Sequence, residues 1–392
     1  MTPDDRAEYD RRLASVRAGM ARNGYDAVVS GDTGDWLPPT GDARYLSGFS
    51  IRNMVNVVEG IAVVVPLEGD PILVVPPGPG GGWAAWARAA AWTPLVLSPA
   101  GQLVEGVVDA LRAAGLERGR VGACAAFQGS GTLAERLPHA RVDDASRPGA
   151  AHEDGNPFER ARMVKSPWEV QRLKGAQRAA DVGMTVFMDE VAAGRRHVEA
   201  QALGEAAAVA AGAEAAITIM SSGSEPWVWW HYQGDRRFTE GSIVSVEMNA
   251  RFDGYCAQLA RTSVLGIPTG AQAELLAVAE ESISAMVAAL RPGATGDEVW
   301  RAGMAPLRAR GVPAWGRLGH GMGLAMDEGV AIVEGDGTLI QPRMTVALHA
   351  SVWDPRTHES GLLGEQYLVT ADGPELLSTT VPHRILALAH SA

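Results

Sequence analysis

A few segments carry residue types and spacings that could do chemistry. Trp229-Trp230-His231-Tyr232 offers an imidazole, which titrates near neutral pH and can both take and give a proton. Residues 241–263, GSIVSVEMNARFDGYCAQLARTS, carry Glu247 and Gln258 on strand-like apolar runs around an Asp253-Gly254-Tyr255 turn. Gly319-His320-Gly321-Met322-Gly323 follows, then MTVALHASVWD with His349 and Trp353, then GLLGEQYLVTADGPELL with Glu365. Five of the eleven tryptophans flank these segments: Trp227, Trp229 and Trp230 before His231, Trp315 before His320, and Trp353 after His349. Aromatic faces beside carboxylates suit a guanidinium, quaternary ammonium or sulfonium, and equally a flat aromatic substrate or plain core packing. Arg317 lies close to the same motifs and could anchor a substrate carboxylate by paired hydrogen bonds.

The order and spacing of these motifs, over roughly residues 160–385, resembles the pita-bread family of creatinase, aminopeptidase P, prolidase and methionine aminopeptidase. In the family's metallopeptidases, two Asp, one His and two Glu hold two divalent metals. Carried over residue by residue, the resemblance places Glu247, Gln258, His320, His349 and Glu365 at those positions, and only His320 and Glu365 keep the family's residue type. It also implies that His231 matches the acid/base of creatinase. A second family histidine is replaced, since Met326-Asp327-Glu328 follows the Gly-His-Gly segment. Arg52, after a YLSGF segment, resembles the residues with which family N-terminal domains approach the active site, sometimes across a dimer.

Charge then bears on the cofactor. Two divalent cations bring four positive charges, and hard cations want oxygen ligands that compensate them. Glu247 and Glu365 are the only carboxylates at these positions, so a two-metal centre is not expected. The expectation is no cofactor, with a hydrogen-bonded polar pocket in place of the metals, as in creatinase. One zinc or iron on His320, His349 and Glu365 is the alternative, because two imidazoles and a carboxylate suit those ions.

A chain of 392 residues is long enough for two sizeable cores, and 46% hydrophobic with 20% charged residues is ordinary for a globular protein. A net charge of −12 without Lys/Arg clusters argues against a nucleic-acid partner. No apolar stretch reaches the ~18 residues of a membrane span, so no membrane partner is expected. Cys124 and Cys256 give no disulfide framework, which suits a cytoplasmic setting.

Residues 1–155 alternate strand-like runs (YDAVVSG, GIAVVVPLEGDPILVVP) with amphipathic helix patterns, which predicts an α/β domain with a mixed sheet. A polar stretch, DDASRPGAAHEDGNPFERA, reads as the linker. Residues 156–392 then form the second domain, opened by Ser166 as N-cap and Pro167 at the first helical position. Helices are predicted over 169–190 and 197–212, with two more split by Arg291-Pro292-Gly293. The fold class is α+β: a C-terminal pita-bread domain after a smaller creatinase-type α/β domain.

The resemblance and the replaced ligands together predict a creatinase-like hydrolase that cleaves a C–N bond of a small molecule by metal-independent acid/base catalysis. Catalytic candidates are His231, Glu247, Glu365, His320 and His349; substrate contacts are Trp229, Trp230, Gln258, Arg52, Trp353 and Arg317. A lyase acting on an onium compound, a mononuclear metallohydrolase of the Xaa-Pro peptidase type and a non-catalytic binding homologue are the alternatives. The partners expected are a small-molecule substrate and, from the resemblance, a second copy of the chain in a homodimer.

Overall fold

The computed structural model describes residues 2–32, 41–50, 60–97, 103–124, 130–145, 156–223, 235–379 and 386–388. The chain divides into two compact units, Met1–Met163 with Asp327–Gly329, and Val164–Met326 with Val330–Ala392. Most of the linker-like stretch, residues 146–155, lies outside the described residues.

The first unit runs α1 (Pro3–Asn23), β1 (Ala27–Asp32), α2 (Asp42–Ser47), β2 (Ile61–Pro66), β3 (Ile72–Val74), α3 (Gly82–Ala90), β4 (Leu95–Leu97), α4 (Leu103–Ala113), β5 (Arg120–Ala123), α5 (Ser130–Arg136), β6 (Arg141–Asp144) and α6 (Pro157–Met163). Its strands form one mixed sheet in the order β4-β3-β2-β1-β5-β6. Every residue of β2 is buried, which is why that run is apolar throughout instead of alternating. β2 and β3 form the hairpin expected around Glu68-Gly69-Asp70, where Gly69 takes φ of 88°. Helix α6 is tied in by Arg162, whose guanidinium pairs with Asp42 at 2.5 Å and with Glu328. Glu328 thus acts as a buried counter-ion, in the Met326-Asp327-Glu328 segment that replaces the second family histidine.

The second unit opens with α7 (Pro167–Asp189) and α8 (His197–Ala210). Ser166 Oγ accepts from Glu169 N at 3.1 Å, and Glu169 Oε2 accepts from Ser166 N at 2.9 Å, a reciprocal cap of the kind the sequence announces. Then come β7 (Ala215–Ser222), β8 (Ile243–Phe252), β9 (Tyr255–Leu265), α9 (Gly270–Ala289), α10 (Gly296–Ala309), β10 (Gly319–Gly321), β11 (Glu328–Ala331), β12 (Thr345–Trp353), β13 (Ser360–Thr370), β14 (Gly373–Leu376) and β15 (Leu386–Leu388). The sheet order is β11-β10-β12-β13-β9-β8-β7, with β14 beside β13 and β15 beside β9.

Successive side chains of a strand point to opposite faces. Val244, Val246, Met248 and Ala250 of β8, with Ala257 and Leu259 of β9, pack against Ala176, Ala180, Met184 and Phe187 of α7. The alternate residues Ser245, Glu247, Asn249, Gln258, Ala260 and Thr262 therefore share the other face. That face is polar although it is buried.

Candidate active site

Cross-strand register builds the site row by row. Glu247 of β8 pairs with Ala260 of β9, Ala260 with Gly364 of β13, and Gly364 with His349 of β12. Directly paired residues point to the same face, so these four form one row. A Cβ added at Gly364 would lie 3.0 Å from the Ala260 Cβ and 3.3 Å from the His349 Cβ, which fixes the shared face. The row spans three strand spacings, about 14 Å. Its middle positions carry a methyl group and no side chain, leaving a trough with a carboxyl at one end and an imidazole at the other.

The neighbouring row runs Asn249, paired with Gln258, then Gln366, paired with Ala347, itself paired with His320. The register that pairs Gly364 with Ala260 sets Gln366 beside Gln258. On the opposite side of the trough, the Ser245 and Thr262 hydroxyls meet at 3.0 Å.

Electrostatics distinguish the two ends. Glu247 is 1% exposed, and burial raises its carboxyl pKa above the ordinary 4.5, opposed by hydrogen bonds from Asn249 and Gln258. The Asn249 amide donates to Glu247 Oε1 at 3.0 Å. Burial also pushes the His349 imidazole well below 6.5, aided by His320 and Arg317. His349 therefore stands neutral at pH 7. The His320 and His349 rings lie 5.5 Å apart, tilted by 58°. His320 Nδ1 lies 3.1 Å from the Gly321 carbonyl oxygen. A carbonyl only accepts, so Nδ1 holds a proton and Nε2 is the basic nitrogen of the neutral ring.

Glu247, Gln258, His320 and His349 are thus brought to one face. Glu365 is not, and its expected place in the site is corrected. It pairs with Leu348, one residue out of phase with His349, and Arg261 Nη2 donates to its Oε1 at 2.6 Å with both side chains fully buried. Arg261 alternates with Leu259, so this ion pair lies on the face covered by α7. Trp353 is half-exposed and lines a groove of about 330 Å³ with Glu274, Arg310 and Arg356, among others. No member of the two rows lines that groove, although Trp353 is in phase with His349 along β12. Arg317 stays beside His349, whose backbone N–H donates to Leu318 O at 2.9 Å. His231, Trp229, Trp230 and Arg52 lie outside the described residues. The residues not foreseen are Asn249, Ala260, Gly364 and Gln366. Period-two alternation from Glu247 signals Asn249, but nothing local signals which of Gly364 and Glu365 faces the trough.

Residues 171–371 match the model of Metallopeptidase family M24. An Xaa-Pro dipeptidase of Pyrococcus furiosus is 26% identical over 56% of this chain and 64% of its own length. The probable dipeptidase PepE of Mycobacterium tuberculosis is 28% identical over 58% of this chain and 62% of its own. The sequence match thus spans less than two thirds of either relative. The crystal structure of dipeptidase PepE from Mycobacterium ulcerans superposes with a TM-score of 0.80 at 24% identity, covering 98% of both chains, which establishes the pita-bread fold.

A family of metallopeptidases overturns the expectation that no cofactor belongs to such a centre. The alternative of one zinc or iron on His320, His349 and Glu365 falls with the position of Glu365, on the far face of the sheet. The donors present do not fit the metals the family implies. Among the described residues the trough has one carboxyl, and no group of three or more His, Cys, Asp or Glu is placed to hold an ion. This chain is a family member with altered donors: with more than half its length matched, it belongs to metallopeptidase family M24, a family of hydrolases.

Proposed function

We propose that the chain is a hydrolase that cleaves the C–N bond of a small, dipeptide-sized amide lying across the trough. The observation that carries this reading is Glu247 and His349 on one face at the two ends of one row, over Ala260 and Gly364. Burial holds His349 neutral, so it can take a proton. A water beside His349 loses its proton to that ring as its oxygen bonds to the amide carbon. The ring hands the proton to the departing nitrogen as the C–N bond breaks, leaving a carboxylic acid and an amine, and Glu247 binds the far end of the substrate. Asn249 and Gln258 hold the Glu247 carboxyl in place. The names Xaa-Pro dipeptidase and dipeptidase PepE favour a peptide bond over the non-peptide C–N substrate that the replaced ligands suggested.

The test is release of free amino acid from a panel of Xaa-Pro and other dipeptides. Turnover is expected from the unaltered chain. His349→Asn should lose roughly 100-fold or more in turnover while keeping its circular dichroism, the size expected of a general acid or base, and Glu247→Gln should raise KM. Unchanged kinetics in both variants would overturn the reading. His231→Ala examines the remaining candidate for proton transfer in the same assay.

A further inference from the structure

The groove at Trp353 forms where three segments of the second unit meet: the start of α9, the loop after α10 and the end of β12. Trp353 stands four positions after His349 on β12, about 13 Å further along the strand. At 39% exposed, it keeps part of its indole open, and an aromatic face in a groove of small-ligand size is a surface for an apolar body. Charges of both signs share the lining. Glu274 of α9 is exposed and accepts no hydrogen bond among the described residues. It lies close enough to Arg356 to act on that residue's charge. Arg356 donates through Nε and Nη2 to Asp354, at 3.2 and 3.0 Å, which fixes the guanidinium. A guanidinium carries five donors, so most of them remain for a ligand. Arg310, after α10, donates through Nη2 to Glu281 at 2.7 Å and brings a second guanidinium to the lining.

We infer that this groove is a second binding site, separate from the trough, for a free α-amino acid with an apolar side chain. The ammonium meets Glu274, the carboxylate takes the Arg356 donors that Asp354 leaves over, and the side chain lies on Trp353. A simple cation would be repelled by Arg310 and Arg356, and a simple anion by Glu274 and Asp354. A molecule with both charges a few bonds apart on an apolar body satisfies the whole lining. Ion pairs at exposed residues are individually weak, so the indole and both charges are needed together. The ligand is bound whole, and no bond is made or broken there.

Calorimetric titration of the full-length chain with L-phenylalanine tests this and needs no turnover. Saturable binding is expected. It should weaken about tenfold or more for N-acetylphenylalanine, which lacks the ammonium, and for phenylalaninamide, which lacks the carboxylate. Glu274→Gln and Trp353→Leu should each weaken phenylalanine about tenfold, with an unchanged melting transition, whereas Glu247→Gln in the trough should leave its binding as it is. Glu274 is exposed, so its variant decides the matter even where Trp353→Leu unfolds. Absence of binding, equal binding of the three ligands, or binding lost in Glu247→Gln and kept in Glu274→Gln would each overturn the inference. Failure of every dipeptide to turn over would sink the hydrolytic reading alone.

Discussion

Arg261 and Glu365 form a fully buried ion pair, Nη2 to Oε1 at 2.6 Å, on the face of the sheet turned away from Glu247. Its neighbour Gly364 lies on the face that holds the trough. One step along β13 thus separates a structural charge from the floor of the site, which gives the first prediction. Glu365→Gln leaves the Arg261 charge uncompensated in the interior and should cost about 3–5 kcal/mol of stability. Denaturant unfolding measures the loss, and activity per folded molecule should stay within a factor of two or so. A variant that unfolds normally and has lost turnover would return Glu365 to the active site.

Gly364 should tolerate nothing large. Its added Cβ would already be 3.0 Å from that of Ala260, so even Gly364→Ala requires adjustment, and overpacking costs about 1–3 kcal/mol. Gly364→Leu would fill the trough. Turnover should fall by more than roughly tenfold, the scale on which misplacing a substrate acts. Full turnover in a folded Gly364→Leu chain would show that substrate does not cross β13.

Glu247 makes stability depend on pH with a definite sign. Its folded-state pKa is raised above 4.5, so the folded chain holds a proton that the unfolded chain releases. The contribution is fully present below pH 4.5 and is lost as pH rises through the raised value. Glu247→Gln should remove this downward slope, read from urea midpoints across pH 4–8. A parallel pH profile in the variant would mean that the Glu247 pKa is not raised.

His349 acts in the reverse direction. Its folded-state pKa lies well below 6.5, so the unfolded chain binds the proton more readily. Its contribution is complete above pH 6.5 and is lost as pH falls through the lowered value. His349→Asn should flatten acid destabilisation in that window. Direct NMR titration of the His349 ring resonances checks the same point, and a midpoint at or above 6.5 would contradict it.

Arg162 holds the first unit's ion cluster, between Asp42 and Glu328. Arg162→Met should destabilise by about 3–5 kcal/mol, because two buried carboxylates lose their counter-ion. Asp42→Asn with Glu328→Gln in the same chain should recover part of the loss. No recovery in the triple variant would show that Arg162 acts through packing alone.

The sequence by itself determined the elements and most of the trough's wall. Ser166, Pro167 and Glu169 announce the start of α7, because capping is local chemistry written in adjacent residues. Apolar runs set β8, β9 and β12, and motif order identified Glu247, Gln258, His320 and His349. Tertiary structure alone decided which residue of Gly364-Glu365-Gln366 faces the site. Strand alternation gives two faces but does not name the buried polar one; that follows from pairing Gly364 with both His349 and Ala260, contacts made across strands far apart in the chain. The same holds for Arg261: only its meeting with Glu365, 104 positions away, makes it a buried counter-ion.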